Sequence, residues 1–201
     1  MEHVIRPVRA DEWRQARDFR LDSLRDPAAS VAFLDTYEEA VSRPDSWWQE
    51  RAAGVAEGSG LKRQFVAETP AGDWVGSLTV LVERAGVEVA YGTRPLVDQA
   101  HVVGVFVRPA ARGRGVTEAL FQAGVEWAWS LELPPGGGDG GDGVEGTRIE
   151  RVRLYVHERN GRAEAFYRKV GFLPSGDGLP AAGDASGALE LEYEVLRPTG
   201  V

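Results

Sequence analysis

Apolar positions along the chain follow two periods, and the places where the period changes divide it into strands and helices. From Val4 to Arg9 the pattern alternates and predicts a short strand. Asp11 then stands where a helix cap belongs, ahead of Trp13, Ala16, Phe19, Leu21 and Leu24 on one helical face. Pro44-Asp45 introduces a second helix, expected over Ser46 to Ala56. Beyond it the period drops to two: Phe65 to Glu68 and Trp74 to Glu83 read as a hairpin turning at Pro70-Ala71-Gly72-Asp73. Val102 to Val107 is an almost unbroken apolar run, the pattern of a central strand buried on both faces. Val116, Leu120, Ala123, Trp127 and Leu131 then recur at helical spacing.

The stretch PPGGGDGGDGVEG, residues 134–146, has almost no apolar side chains and a high ordering cost, so it reads as a flexible surface insertion within the β/α pattern. Arg151 to Val156 is the next strand, and Gly161 to Val170 a short helix closed by Gly171-Phe172. A Gly/Pro/Asp-rich connection, Ser175 to Gly187, leads to a final strand from Leu189 to Leu196. The expectation is one mixed α/β domain over residues 1–201, a single sheet flanked by helices.

Composition narrows the function classes. The chain is 43% hydrophobic and 27% charged, ordinary for a globular protein, and no apolar run approaches the roughly 20 residues that span a bilayer. The opening MEHVIRPVRADEW lacks the basic-then-apolar order of a secretory leader, and the absence of cysteine excludes disulfides, thiolate nucleophiles and cysteine metal sites. A cytoplasmic protein without a metal centre or membrane partner is expected. A net charge of -8 argues against nucleic acid and slightly favours a cationic small molecule or basic peptide as partner.

Against that balance the arginines at 108, 112 and 114 stand out. They lie in RPAARGRGVTEALF, where a strand runs through Arg112-Gly113-Arg114-Gly115-Val116-Thr117 into a helix. The first amides of a helix lack intrahelical partners and sit at the positive end of its dipole; glycines let an anion approach. The same glycines are equally suited to a plain flexible helix start. A Walker A loop is set aside by the missing Gly-Lys-Ser/Thr, and the dinucleotide fingerprint is only half matched, with Gly113 and Gly115 in place but no closing glycine at Glu118-Ala119, which leaves a dinucleotide enzyme as a third reading.

Val105-Phe106-Val107-Arg108-Pro109 followed by Arg112-Gly113-Arg114-Gly115-Val116-Thr117 resembles the Gln/Arg-x-x-Gly-x-Gly/Ala signature of the GNAT superfamily of N-acetyltransferases, with Thr117 as the departure. Asn160, Ala163, Tyr167 and Gly171-Phe172 are similar to that family's second block, N-x-x-A-x-x-x-Y-x-x-x-G-F, at the same spacing. IRPVRADEW and AFLDTYEEA look like earlier segments of the family.

The resemblance implies a GNAT-like fold and acetyl transfer from acetyl-CoA to a primary amine of a small molecule, peptide or protein. A homodimer is common in the family. The other reading is an acyl-CoA-binding sensor or scaffold of the same fold. The resemblance also implies pantetheine beside the backbone of Val105 and Val107, and pyrophosphate on the amides from Gly113 to Thr117 beside Arg112 and Arg114. Asn160 would touch the cofactor arm; it also suits an N-cap. Tyr167 is then the acid toward the departing sulfur, although core packing would also explain it. His101, on the alternating face of Val103 and Val105, is a candidate base, with Glu83, Tyr37 and Glu38 as competitors. Segment 31–42 would wall the acceptor, while Trp47 and Trp48 read as packing.

Overall fold

The structure is a computed structural model that describes residues 2–134, 146–176, 178–182 and 186–198. Most of the Gly-rich segment expected as an insertion, 135–145, lies outside the described residues. The strands are β1 (Val4–Pro7), β2 (Lys62–Glu68), β3 (Trp74–Glu83), β4 (Gln99–Val107), β5 (Glu132–Leu133), β6 (Thr147–Arg148), β7 (Arg151–His157), β8 (Leu173–Pro174), β9 (Leu179–Pro180) and β10 (Leu189–Leu196). The helices are α1 (Trp13–Leu24), α2 (Tyr37–Val41), α3 (Asp45–Val55), α4 (Val116–Ser130) and α5 (Gly161–Lys169).

The main sheet runs β1-β2-β3-β4-β7-β10-β8, with β9 also on β10; β5 and β6 form a separate ribbon. Every pairing is antiparallel except β4 with β7, which is parallel. The fold is therefore the expected mixed α/β sheet. The short strand β8 lies just before the Ser175 to Gly187 connection and β9 lies inside it, so that connection is not wholly irregular as expected; no alternating run foreshadowed either strand.

Alternation sorts side chains between the two faces. Leu78 and Val80 of β3, Ala100 and Val102 of β4, and Val152, Leu154 and Val156 of β7 share one buried cluster with Val116, Leu120, Phe121 and Trp127 of α4. Gly76 and Gly124 permit that packing. A Cβ on Gly76 would stand 2.9 Å from Val116 Cγ1 and 3.0 Å from Leu120 Cδ1. On the other face Phe19 of α1 packs with Val8, Val66, Trp74 and Phe106, and Trp48 joins Trp13, Leu24, Ala40 and Ala52.

Two local expectations are corrected. Asp11 does not cap α1: a 3-10 turn, Ala10–Glu12, precedes that helix, and the Glu12 carboxylate accepts from the Arg9 amide at 2.8 Å. Glu12 also grips Arg6, which in turn binds Glu68 at 2.6 Å, so the turn is tied to β1 and β2. Nor is β4 covered along its length. It pairs with β7 only from Gln99 to His101, and Val103, Gly104 and Val105 are open to different degrees.

The cause lies in β4 itself. Opposite β3, Ser77 pairs with Phe106 and Thr79 with Val103, so Gly104 and Val105 together face Leu78. This is a β-bulge, with Gly104 at φ 63°, a conformation that an L side chain rarely adopts. The extra residue resets the alternation. Val105 packs on the α4-side cluster, not on the face of His101 where strict alternation would put it.

Replacing Gly76 with Val should destabilise the fold by about 1–3 kcal/mol, through overpacking between β3 and α4. Urea unfolding followed by circular dichroism measures this as a lower midpoint with an unchanged slope.

Candidate active site

Where β4 and β7 part, the edge of β4 facing β7 has no strand partner, and a cavity of about 520 Å³ opens between them. Val105, Val107, Gly113, Thr117, Asn160, Tyr167 and His101 all contribute to its wall. With Arg112, elements distant in sequence thus bring together eight of the predicted site residues.

The α4 end is shaped by backbone. Gly113 and Gly115 have φ of 73° and 78°, Gly115 is the N-cap residue, and a Cβ at either would meet nothing within 4 Å. Conformation, not crowding, calls for glycine, and the space beside the backbone is open. The arginines divide. Arg112 lines the cavity, yet its Nε donates to the Val107 carbonyl at 2.9 Å and its guanidinium pairs with Asp26. Arg108 is engaged with the Trp74 carbonyl and Asp22. Arg114 is exposed, and Arg114, Gly115 and Val116 stand outside the cavity wall, Val116 being buried in the core.

Helix α5 is anchored at both ends. Asn160 is its N-cap, its Oδ1 accepting from the Ala163 amide at 3.2 Å, while its Nδ2 reaches the Val31 carbonyl. At the other end Gly171, at φ 93°, donates to the Arg168 carbonyl, and Phe172 donates to the Tyr167 carbonyl at 3.0 Å. That is a Schellman closure, and it fixes the backbone of Tyr167. The Tyr167 ring is held by Phe121 at 5.6 Å and Phe166 at 5.9 Å, and its hydroxyl makes no hydrogen bond among the described residues. Burial, and secondarily the nearby Glu190 carboxylate, raise the phenol above its ordinary value, so it holds its proton at neutral pH.

At the opposite end the sheet carries buried charge. His101 is 2% exposed, with Nδ1 2.9 Å from Glu83 Oε1. Glu83 also accepts from Gln99 at 2.7 Å and pairs with Arg153 at 2.7 Å. Arg153 is fully buried and bridges onward to Glu192 at 3.1 Å, which accepts the Tyr155 hydroxyl. Burial opposes ionisation of Glu83, but His101, Gln99 and Arg153 outweigh it and keep its carboxyl below the usual range. Glu192 is likewise lowered, against burial, by Tyr155, Ser175 and the two arginines Arg151 and Arg153. An ionised Glu83 is acceptor-only, so the proton between the two residues belongs to His101 Nδ1; in the neutral imidazole Nε2 is then the acceptor.

Residues 84–98 fold over this network as a strap. Arg153 donates to the Thr93 carbonyl at 2.9 Å, and the Thr93 amide donates to the Tyr155 hydroxyl at 3.1 Å. A Cβ on Gly92 would lie 2.8 Å from Tyr155 Cε2, so only glycine passes there. Tyr91, edge-on to Tyr155, lines the cavity with a buried hydroxyl that has no partner among the described residues, its pKa pushed up to about 12 chiefly by burial.

Glu83 was among the competitors read from the sequence. Tyr37 and Glu38 are not in the cavity wall, whereas Val31 to Asp35 of the segment before them are. Arg153, Tyr155 and Glu192 were missed. Their signal was present: Arg151, Arg153, Tyr155 and His157 alternate with apolar residues, as do Glu190, Glu192 and Glu194, a pairing of opposite charge on one face.

The family model "Acetyltransferase (GNAT) domain" matches residues 63–174, more than half of the chain. No curated protein matches it significantly. Among solved structures, Arabidopsis thaliana NAA60 in complex with a bisubstrate analogue is similar at TM-score 0.64 and 14% identity, over 97% of this chain and 98% of that one. A GNAT superfamily phosphinothricin acetyltransferase from Sinorhizobium meliloti, in complex with acetyl-CoA, has TM-score 0.66 and 16% identity, over 100% and 91%. A GCN5-related N-acetyltransferase from Kribbella flavida has TM-score 0.64 and 18% identity, over 97% and 98%. At these identities the likeness is one of fold.

Arg153→Met should cost about 3–5 kcal/mol at pH 7, because it leaves Glu83 and Glu192 buried with less compensation. Both carboxyls are lowered in the folded state, so their contribution is present above the ordinary carboxylate range and lost as pH falls through their folded values. The difference between variant and wild type should therefore shrink in acid. Chemical denaturation at pH 7 and pH 4 measures it; a constant difference overturns the assignment.

Proposed function

Because the chain belongs to the GNAT acetyltransferase family, we propose that it transfers an acetyl group from acetyl-CoA to the nitrogen of a primary amine. The observation that carries this reading is the parted β4–β7 edge, with an open helix N-terminus at one end and an unpartnered buried phenol on its wall.

The residues present fit acetyl-CoA. The amides from Gly113 to Thr117 would hold its pyrophosphate, where the dipole of α4 contributes about 0.3–1 kcal/mol per anion. The backbone edge at Val105 and Val107, which is not paired to β7, would take up the amides of the pantetheine arm beside the Val107 carbonyl that Arg112 already binds. Asn160 would act through the backbone it caps. Acetyl-CoA supplies an activated acetyl thioester.

The chain's own groups manage protons. An alkyl amine has a pKa near 10.4, so roughly one molecule in a thousand is neutral at physiological pH. His101 Nε2, with Nδ1 committed to Glu83, receives the amine proton directly or through water. Tyr167 holds a proton at Oη for the leaving thiolate, and its raised pKa keeps that proton in place until the thiolate forms.

Tyr167→Phe should lower kcat roughly 100-fold, within the range for a general acid, with acetyl-CoA affinity unchanged. Free-thiol release on an amine panel and calorimetry with acetyl-CoA measure the two quantities; an unchanged kcat removes Tyr167 from this role. Thr117→Glu should weaken CoA binding at least about 10-fold without loss of thermal stability, since an acidic residue in the first turn suits the helix itself. Wild-type affinity in that variant would sink the cradle.

A further inference from the structure

One stretch of the cavity wall carries more positive charge than its neighbours balance. Arg20 of α1 and Arg43, between α2 and α3, both reach the single carboxylate of Asp35, at 3.1 and 3.2 Å. Arg51 of α3 makes no hydrogen bond or salt bridge among the described residues. Aromatic rings hold these forks: Phe33 lies 4.3 Å from Arg20, and Trp47 lies 4.0 Å from Arg43 and 5.4 Å from Arg51. Arg20 Nε is buried with no hydrogen-bond partner among the described residues.

A guanidinium serving only the fold would have its donors satisfied, because a buried unpartnered N–H is costly. Here the buried donor left over is Arg20 Nε, and the exposed guanidinium of Arg51, which lines the same cavity, has no carboxylate bound to it among the described residues; Thr79 of β3 and Gly104 of β4 share that wall. Desolvation by the surrounding protein pushes both guanidiniums down from their ordinary value, although Arg51 keeps an exposed face, and for Arg51 the like charge of Arg20 adds to it. An anion placed between them would relieve that repulsion. The wall is also close to the chemistry. Thr79 pairs with Val103 and Leu81 with His101, so His101 lies two residues along β4, roughly 7 Å away.

We infer that Arg20 and Arg51 form the subsite for an anionic group on the acceptor, which makes the acceptor a small amine of amino-acid type bearing a carboxylate or phosphonate. This rests on the acetyl-transfer reading above and narrows it. It also runs against the partner that the overall charge of -8 favours, a cationic one.

The test pairs free L-amino acids and aminoalkylphosphonates with their neutral carboxamides or esters in a thiol-release assay. Wild type should prefer the anionic member of a pair by roughly 10- to 100-fold in kcat/KM, the worth of a hydrogen bond to a charged group, and the two arms separate carboxylate from phosphonate. Arg51→Met, which keeps the aliphatic stem, should bring that ratio toward one, and Arg51→Lys should restore part of it. Equal or better turnover of neutral and cationic amines, with a ratio untouched by Arg51→Met, overturns the subsite. Calorimetric titration of the same acids into CoA-saturated protein keeps the two readings apart. If no amine is turned over, acetyl transfer fails on its own; the subsite then stands if an acid binds wild type and not Arg51→Met, and falls if none binds.

Discussion

The site depends on the parting of two parallel strands. β4 and β7 hold together over three register positions, Gln99 to His101 against Arg151 to Arg153, and then separate. A sheet does not open this way at no cost: each backbone group that loses its ladder partner in a half-buried place must find another. The bulge at Gly104 and Val105 turns β4 out of line while leaving its other edge paired to β3. One inserted residue therefore both creates the cavity and leaves along its wall a row of donors and acceptors suited to an extended, amide-bearing ligand. The helix that follows β4 starts beside that row, so the anion-friendly end of α4 and the open edge belong to one continuous surface.

The closed part of the same seam carries a different constraint. Below the point of parting, buried side chains on the paired strands are charged: Glu83, Arg153 and Glu192, with His101, Gln99 and Tyr155 attached. A buried ion network of this kind is not an efficient stabiliser, because desolvation consumes much of the Coulomb attraction. What it does achieve is orientation. The partners of Glu83 come from two strands, Gln99 and His101 from β4 and Arg153 from β7, so the carboxylate is held from several directions and the imidazole ring bonded to it has a defined Nδ1 partner at the edge of the cavity. The strap 84–98 supplies further acceptors to Arg153 and shields the network from water.

Much of this was legible in the sequence, and the failures share a cause. The longer helices and the long strands follow from periodicity, because one face of each is buried in an apolar cluster, whereas the five-residue α2 is too short to show a period. The Gly113–Thr117 turn and the Asn160–Phe172 block were legible because backbone conformation there demands particular residues: glycine at positive φ, asparagine at an N-cap, glycine at a Schellman closure. By contrast, Val102 to Val107 read as a uniformly buried strand, since an apolar run does not reveal where its neighbour leaves it. Gly104 was the available clue, an isolated glycine within a strand pattern. Arg112 and Arg114 looked alike in the sequence but differ in the fold, because Asp26, far away along the chain, captures only one of them.

Net charge misleads for a related reason: it averages over a surface, whereas a ligand meets a wall. At physiological ionic strength fields from exposed charges decay over about 8 Å, so the acidic excess of the whole chain influences the approach of a ligand more than its final seat. Within the cavity nearby groups dominate, and near Arg20 and Arg51 the nearest carboxylate is already shared with Arg43. Those arginines come from α1, the segment between α2 and α3, and α3 itself, and only the packing of these helices against the sheet sets them side by side. The backbone features that suit a common cofactor are local and repeat a recognisable pattern. The side chains that would choose an acceptor are brought together by tertiary structure, and that is why the sequence announces the first far more readily than the second.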